Sequence, residues 1–299
     1  MNNITAVPPL VSVVIPTYKR PDFLIRAAHS AIAQTFTDLE IIAIDDCSPV
    51  DYNDALMRLS DKRFRYIRLD SNRGAAAARN IGLENARGRF VAFLDDDDWW
   101  YPQKLEQQFR WVRSRHLENA SFVVFSKAKR QKFSWLAEVA PKWPIAPGED
   151  VTEYRFRQRG LIHLSTVLMP LSLARKTLFD ATLPRNEDML FFAGCQKEGG
   201  EFALCPEVHA ALDFTHVQGR LRQGGNIDLI QQVAEKLITC TTPSGISGYY
   251  ATFLSPKLAA QGQLIEGLAL IIKAYRTGSL GHSNSLVSAI NTTLSWLYR

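Results

Sequence analysis

Short apolar runs that alternate with helix-period segments over the first 125 residues constrain this chain more than any other feature. Val11-Ser12-Val13-Val14-Ile15, Ile41-Ile42-Ala43-Ile44, Phe90-Val91-Ala92-Phe93-Leu94 and Phe122-Val123-Val124-Phe125 are each too short for a helix of ordinary length and read as buried strands. Phe64 to Leu69 alternates as another strand does. Between these runs, Leu24, Ala27, Ala28, Ala31 and Ile32 keep helical spacing after Pro21, a residue suited to a helix's first turn. Residues 50–59 and 75–86 read as helices, and Leu105, Phe109 and Val112 mark an amphipathic one. Strand–helix alternation of this kind implies right-handed crossovers, hence an α/β fold with a mostly parallel sheet flanked by helices.

In an open sheet of this type, ligands bind outside the carboxyl ends of the strands. Those ends carry Pro16-Thr17-Tyr18, Asp45-Asp46, Arg73 with Arg79-Asn80, and the run Asp95-Asp96-Asp97-Asp98. Four adjacent carboxylates repel one another unless water, cationic groups or a metal compensates them. A hard divalent cation suits them, because Mg²⁺ takes one or two carboxylates and fills its other positions with phosphate oxygens and water. Each feature has a plain alternative: a solvated acidic turn before the helix that Pro102 opens, Tyr18 packed on the sheet edge, Asp46 capping a turn. Jointly they supply a ring, a carboxylate, guanidinium groups and a metal-binding cluster, which a nucleoside diphosphate requires.

Composition narrows the class. With 46% hydrophobic and 22% charged residues, 299 residues form one large or two small globular domains. The net charge of +5 is spread along the chain, so no nucleic-acid stripe stands out. Cys47, Cys195, Cys205 and Cys240 lie far apart and suggest neither a zinc ribbon nor a disulfide framework. A reduced cytosolic setting is expected, since the first nine residues do not read as a secretory signal and no run of 18 apolar residues occurs. No glycine lies in Ile15 to Arg20, which disfavours a dinucleotide-binding dehydrogenase and a sugar-phosphate nucleotidyltransferase.

Beyond residue 126 the pattern loosens. Residues 127–159 read as a loop or excursion, 162–169 as a strand and 173–179 as a short helix. Glu187-Asp188 then precedes an apolar helix, where acidic residues also serve as a plain helix-start signal. Residues 227–238, 258–275 and 285–297 look helical. The expected organisation is a catalytic domain over 1–225, with a donor half of about 10–125 and an acceptor half of about 126–225, and a helical region over 226–299. Tyr249, Tyr250, Phe253, Leu264, Leu268, Ile271, Ile272 and Tyr275 fit an interfacial region at a membrane, or packing on the catalytic domain or a second subunit. Packing is the preferred reading, because amphipathic helices mostly serve cores.

Val13 to Tyr18, Ile44 to Ser48, Asn72-Arg73-Gly74 through Arg79-Asn80, and Phe93 to Asp98 resemble, in order, the successive motifs of family 2 glycosyltransferases with the GT-A fold. The resemblance covers about residues 10 to 215. It implies an inverting transfer from a nucleotide sugar, commonly a UDP sugar, to a hydroxyl of a glycan or lipid-linked acceptor in bacterial surface polysaccharide synthesis. By the same resemblance Pro16, Thr17 and Tyr18 line the nucleoside pocket with Arg20 beside them, Asp46 accepts from uracil with Asp45 adjacent, and Arg73 and Arg79 lie near the nucleotide. Asp95 and Asp96 belong to the donor site, Asp97 with Asp95 binds Mn²⁺ or Mg²⁺, and Asp188 is the base with Glu187 at its side. Among the histidines His163, His209 and His216, the last is assigned to the metal or diphosphate. Arg220 and Arg222 lie on a glycine-bearing loop able to close over the donor. Peripheral contact at the inner face of the cell membrane and oligomerisation through the C-terminal helices are further expectations; a nucleic-acid partner is not. The competing readings are a sugar-phosphate nucleotidyltransferase and an inactive binding scaffold on the same fold.

Overall fold

A computed structural model describes residues 8–117, 120–133, 136–158, 160–213 and 226–297. The first half follows the alternation in the sequence: β1 (Val11–Thr17), α1 (Pro21–Ile32), β2 (Leu39–Asp45), α2 (Asn53–Leu56), β3 (Phe64–Arg68), α3 (Gly74–Asn85) and β4 (Phe90–Phe93). β1 pairs in parallel with β2 and β4, and β2 with β3. Every residue of β1, β2 and β4 is buried, which explains runs that are apolar rather than alternating: helices cover both faces. Pro21 does open α1, whose buried stripe is Leu24, Ile25, Ala27, Ala28 and Ala31. α3 rides close on β1 because it is lined with alanines and with Gly82; a Cβ at Gly82 would lie 2.3 Å from the Val14 side chain.

The helix expected over 50–59 shrinks to the single turn α2. Asp51 accepts from the backbone N–H of Asn53, an Asx turn that competes with helical bonding at this point.

The second half departs further from expectation. It contains β5 (Trp99–Trp100), α4 (Lys104–Ser114), β6 (Phe122–Phe133), β7 (Leu136–Ala140), α5 (Val151–Arg157), a 3₁₀ turn at Leu164–Thr166, β8 (Val167–Pro170), α6 (Leu171–Thr177), α7 (Glu187–Lys197) and β9 (Glu201–Asp213). The sheet order is β3-β2-β1-β4-β8-β6-β9-β5, with β7 branching from β6. β8 is antiparallel to both neighbours, β6 and β9 are parallel, and β5 is antiparallel to β9, so the sheet is parallel in its first half and mixed beyond β4. The stretch expected as a loop or excursion over 127–159 thus holds, among its described residues, the end of β6, β7 and α5. β6 continues through its polar positions because β9 and β7 supply partners on both sides, and Asp150 caps α5 by accepting from the N–H groups of Thr152 and Glu153. The strand expected over 162–169 begins only at Val167, because the His163 side chain caps the 3₁₀ turn.

The C-terminal residues form α8 (Ile227–Leu237), α9 (Pro243–Tyr249), a π turn at Tyr250–Leu254, α10 (Ser255–Ala260), α11 (Leu264–Arg276) and α12 (His282–Leu297). The helix expected over 258–275 is broken by Gly262 at φ +92°, a left-handed value that favours glycine. Tyr249 is fully buried, and its ring and that of Phe253 lie 6.4 and 6.2 Å from Phe156 of α5, so this part of the tail packs on the preceding region. Ile265, Leu286 and Leu297 are exposed. Among the described residues no helix is long and apolar enough to cross a membrane.

Candidate active site

A cleft of about 550 Å³ opens at the carboxyl ends of β1 and β4. Its floor is Pro16, Thr17 and Tyr18, one wall is the acidic turn after β4, and the other is Ala75, Ala78 and Arg79 of α3 with Pro184 to Glu187. Asp46 closes one end. Both of its carboxylate oxygens accept backbone N–H bonds, from Arg73 at 2.7 Å and Gly74 at 2.8 Å, which fixes the start of α3. Each oxygen retains a further lone pair for a ligand.

The acidic turn is held from three sides. Thr17 donates to Asp96 at 2.8 Å, and the Arg20 guanidinium donates to Asp96 at 3.1 Å and Asp97 at 2.8 Å. Arg79 donates to Asp95 at 2.8 Å through one nitrogen and to Glu187 at 3.1 Å through another. Asp98 turns away from the cleft, accepting from the Ser165 hydroxyl at 2.5 Å and the Asp213 backbone N–H at 3.1 Å.

Burial and charge separate the acids. Burial pushes Asp96 up to about 7, with Arg20 opposing the shift and Asp97 adding to it. Burial likewise takes Asp98 to about 7 against the pull of His163. Asp97 is raised by burial and by the adjacent Asp95 charge. Burial also works against ionisation of Asp95, but Arg79 and His163 outweigh it and hold that carboxyl below its ordinary range. Glu187 is raised by burial and then by Asp188, despite Arg79.

These groups fit a divalent cation. Arg20 bridges Asp96 and Asp97, Arg79 bridges Asp95 and Glu187, and the neighbouring acids still raise Asp96 and Asp97, so a further cation would be stabilised among them. Ligand atoms of Asp95, Asp98 and His163 lie within 4.8 Å of one another.

The family model described as Glycosyl transferase family 2 matches residues 12–180. The chain belongs to glycosyl transferase family 2. It is 43% identical over 109 residues to a putative teichuronic acid biosynthesis glycosyltransferase, TuaG, of Bacillus subtilis, a match spanning 36% of this chain and 43% of that protein. It is 38% identical over 105 residues to the Escherichia coli UDP-Glc:alpha-D-GlcNAc-diphosphoundecaprenol beta-1,3-glucosyltransferase WfaP, spanning 35% of this chain and 42% of that one. The matched part is thus less than half of either relative. Residues 1–349 of S. aureus TarS, solved with UDP-GlcNAc, superpose with a TM-score of 0.66 at 19% identity, covering 96% of this chain and 90% of that chain, a likeness of fold.

In this family 2 chain the cleft gathers most residues singled out from sequence: Pro16, Thr17, Tyr18, Arg20, Asp46, Arg79, Asp95, Asp96, Asp97 and Glu187. Asp45 is not among them. It is fully buried behind the cleft, accepting from Ser48 and from the Tyr66 hydroxyl at 2.7 Å, because successive strand residues face opposite sides. Arg73 contributes its backbone N–H to Asp46 and lines a neighbouring cavity of about 500 Å³ that shares Ala75, Pro184 and Glu187 with the cleft. Asp188 sits in the first turn of α7 without lining the cleft, and its carboxylate accepts the Met189 backbone N–H at 2.8 Å, while the Asn186 side chain makes no cap bond. His216, Arg220 and Arg222 lie outside the described residues. Sequence reasoning missed Ser165, and it left Asp98 and His163 without roles. Asp98 was visible as the last acid of the run, whereas nothing local marks Ser165.

Proposed function

We propose that this chain is an inverting glycosyltransferase that moves a sugar from a UDP sugar to a hydroxyl of a glycan or lipid-linked acceptor in the synthesis of a bacterial surface polysaccharide. The observation that carries this reading is the Arg79 bridge, which ties the acidic turn to Glu187 across a cleft floored by Pro16 to Tyr18. The names of TuaG and WfaP and the UDP-GlcNAc bound by TarS support the donor and acceptor classes. Residues 1–225 are taken as the catalytic portion, and the cavity beside Arg73 as the acceptor side.

Asp188 is the base in this reading. Glu187 is committed to Arg79, whereas among the described residues no basic side chain pairs with Asp188. Asp188 takes the proton of the acceptor hydroxyl as that oxygen bonds to the anomeric carbon. The bond from that carbon to the diphosphate breaks on the opposite face, and its electron pair leaves with the nucleoside diphosphate. Tyr18 packs against the nucleoside, Asp46 accepts from the base, and Arg20 and Arg79 keep the acids in place. A Mn²⁺ or Mg²⁺ held by Asp95 and Asp97, with Asp98 and His163 behind them, would neutralise charge developing on the departing diphosphate.

A calorimetric and hydrolysis panel of UDP, GDP and ADP sugars, with Mn²⁺ or Mg²⁺ and with chelator, tests the proposal. Metal-dependent binding of UDP and turnover of at least one UDP sugar are expected. Failure of every nucleotide to bind with either metal would overturn it.

A further inference from the structure

Strand β9 bulges twice within five residues. Cys205 pairs with Ser126, Val208 with Lys127 and Ala210 with Ala128, so Pro206, Glu207 and His209 have no partner on β6. Bulges re-aim side chains and are built features rather than defects. Here they turn three donor groups toward one point on the side of the sheet covered by α4. The Cys205 sulfur lies 3.1 Å from a Glu207 carboxylate oxygen and 3.7 Å from His209 Nε2, and that nitrogen lies 4.0 Å from the same oxygen. Cys205 and His209 are buried, and the Glu207 side chain is 53% exposed.

We propose that Cys205, Glu207 and His209 form a zinc site separate from the cleft, with water as the fourth ligand. Zinc bonds of about 2.3 Å to sulfur and about 2.0–2.2 Å to nitrogen or oxygen, arranged tetrahedrally, separate the ligand atoms by about 3.4–3.6 Å. The three observed separations depart from that by roughly 0.6 Å or less. A thiolate, an imidazole and a carboxylate match zinc's borderline softness, and thiolate plus carboxylate cancel its charge. Three protein ligands with one exposed edge leave room for water.

The surroundings are prepared for this. Without metal the Cys205 thiol donates to Glu207; on binding, its proton passes to solvent. Lys104 is engaged elsewhere: its amine donates to Gln108 at 2.8 Å and the Val167 carbonyl at 3.3 Å, over the Trp100 ring. A cavity of about 310 Å³ beside Tyr101, Pro102 and Val208 gives a route to His209. Four residues beyond His209, β9 ends at Asp213, whose backbone N–H holds Asp98, so a metal here would brace the strand behind the acidic turn.

The test uses the full chain, stripped with chelator and titrated with Co²⁺ as the spectroscopic stand-in for Zn²⁺. Thiolate-to-cobalt charge transfer with tetrahedral d–d absorption is expected, saturating at a single equivalent and displaced by Zn²⁺. The cleft acids carry no thiol, so Asp97→Ala should leave this signal in place while Cys205→Ser removes it. Glu207→Gln changes an exposed side chain, and should weaken Zn²⁺ by about tenfold or more in competition with a chromophoric chelator, the scale seen even for outer-shell partners. Absence of charge transfer in the native chain, its persistence in Cys205→Ser, or unchanged Zn²⁺ affinity in Glu207→Gln would each overturn the proposal.

Discussion

Arg79 and Glu187 are 108 positions apart in the chain, yet the arginine's guanidinium donates to the glutamate at 3.1 Å while holding Asp95 at 2.8 Å. One buried cation therefore joins the end of β4 to the start of α7. Burial disfavours its charge, but Asp95 and then Glu187 more than restore it. Arg79→Met should leave two largely buried carboxylates without their shared partner and cost about 3–5 kcal/mol. Urea denaturation checks the loss, and donor binding should weaken in parallel.

Asp188→Asn separates binding from catalysis. The amide oxygen can still accept the Met189 backbone N–H that the carboxylate accepts, so α7 should stand, and metal and donor should bind as before. The amide cannot accept the acceptor's proton, so transfer should fall by about 10²- to 10⁴-fold. Near-normal transfer in a single-turnover assay would pass the role to Glu187.

Asp46→Asn should act on structure as well as binding. An amide offers one acceptor oxygen where two N–H donors, of Arg73 and Gly74, now converge on a carboxylate. One donor is left facing an NH₂ group, at a cost of about 1–3 kcal/mol. Thermal unfolding and the dissociation constant for UDP should shift together; a change in affinity alone would mean that the loop tolerates the amide.

Phe156→Ala tests the attachment of the tail. Removing the ring that meets Tyr249 and Phe253 leaves a cavity between α5 and the C-terminal helices and should cost about 3–5 kcal/mol. Limited proteolysis should then cut preferentially after residue 226, where native protein resists.

Thiol chemistry offers a probe of the core. Burial pushes the Cys195 thiol up to about 12, and the residue is fully enclosed. At pH 8 it should resist alkylation until the protein unfolds globally, while the half-buried Cys47 and Cys240 react first. Mass mapping of labelled peptides reads the order.

The strand ends of the first half were legible because β1, β2 and β4 are covered on both faces and must be apolar throughout, leaving polar groups only where the strands stop. β9 was not, because Pro206 and Glu207 interrupt its apolar run at the bulge. The polar stretch after Ser126 likewise hid the rest of β6. Within the site, adjacency misled at Asp45 and Asp46, which the pleat sends to opposite sides. The bonds from Arg20 to Asp96 and from Ser165 to Asp98 span 76 and 67 positions, distances at which local spacing carries no signal.

Gly82 follows Arg79 by three positions on α3 and faces Val14 with no room for a methyl group. Any larger residue there must lift the helix from the sheet. The guanidinium one turn earlier, clamped between two carboxylates from different elements, has no slack to absorb the lift. A missing side chain thus works as a shim that sets the reach of a charged one. Lesions at position 82 should accordingly present as losses of activity, although the residue touches neither donor nor acceptor.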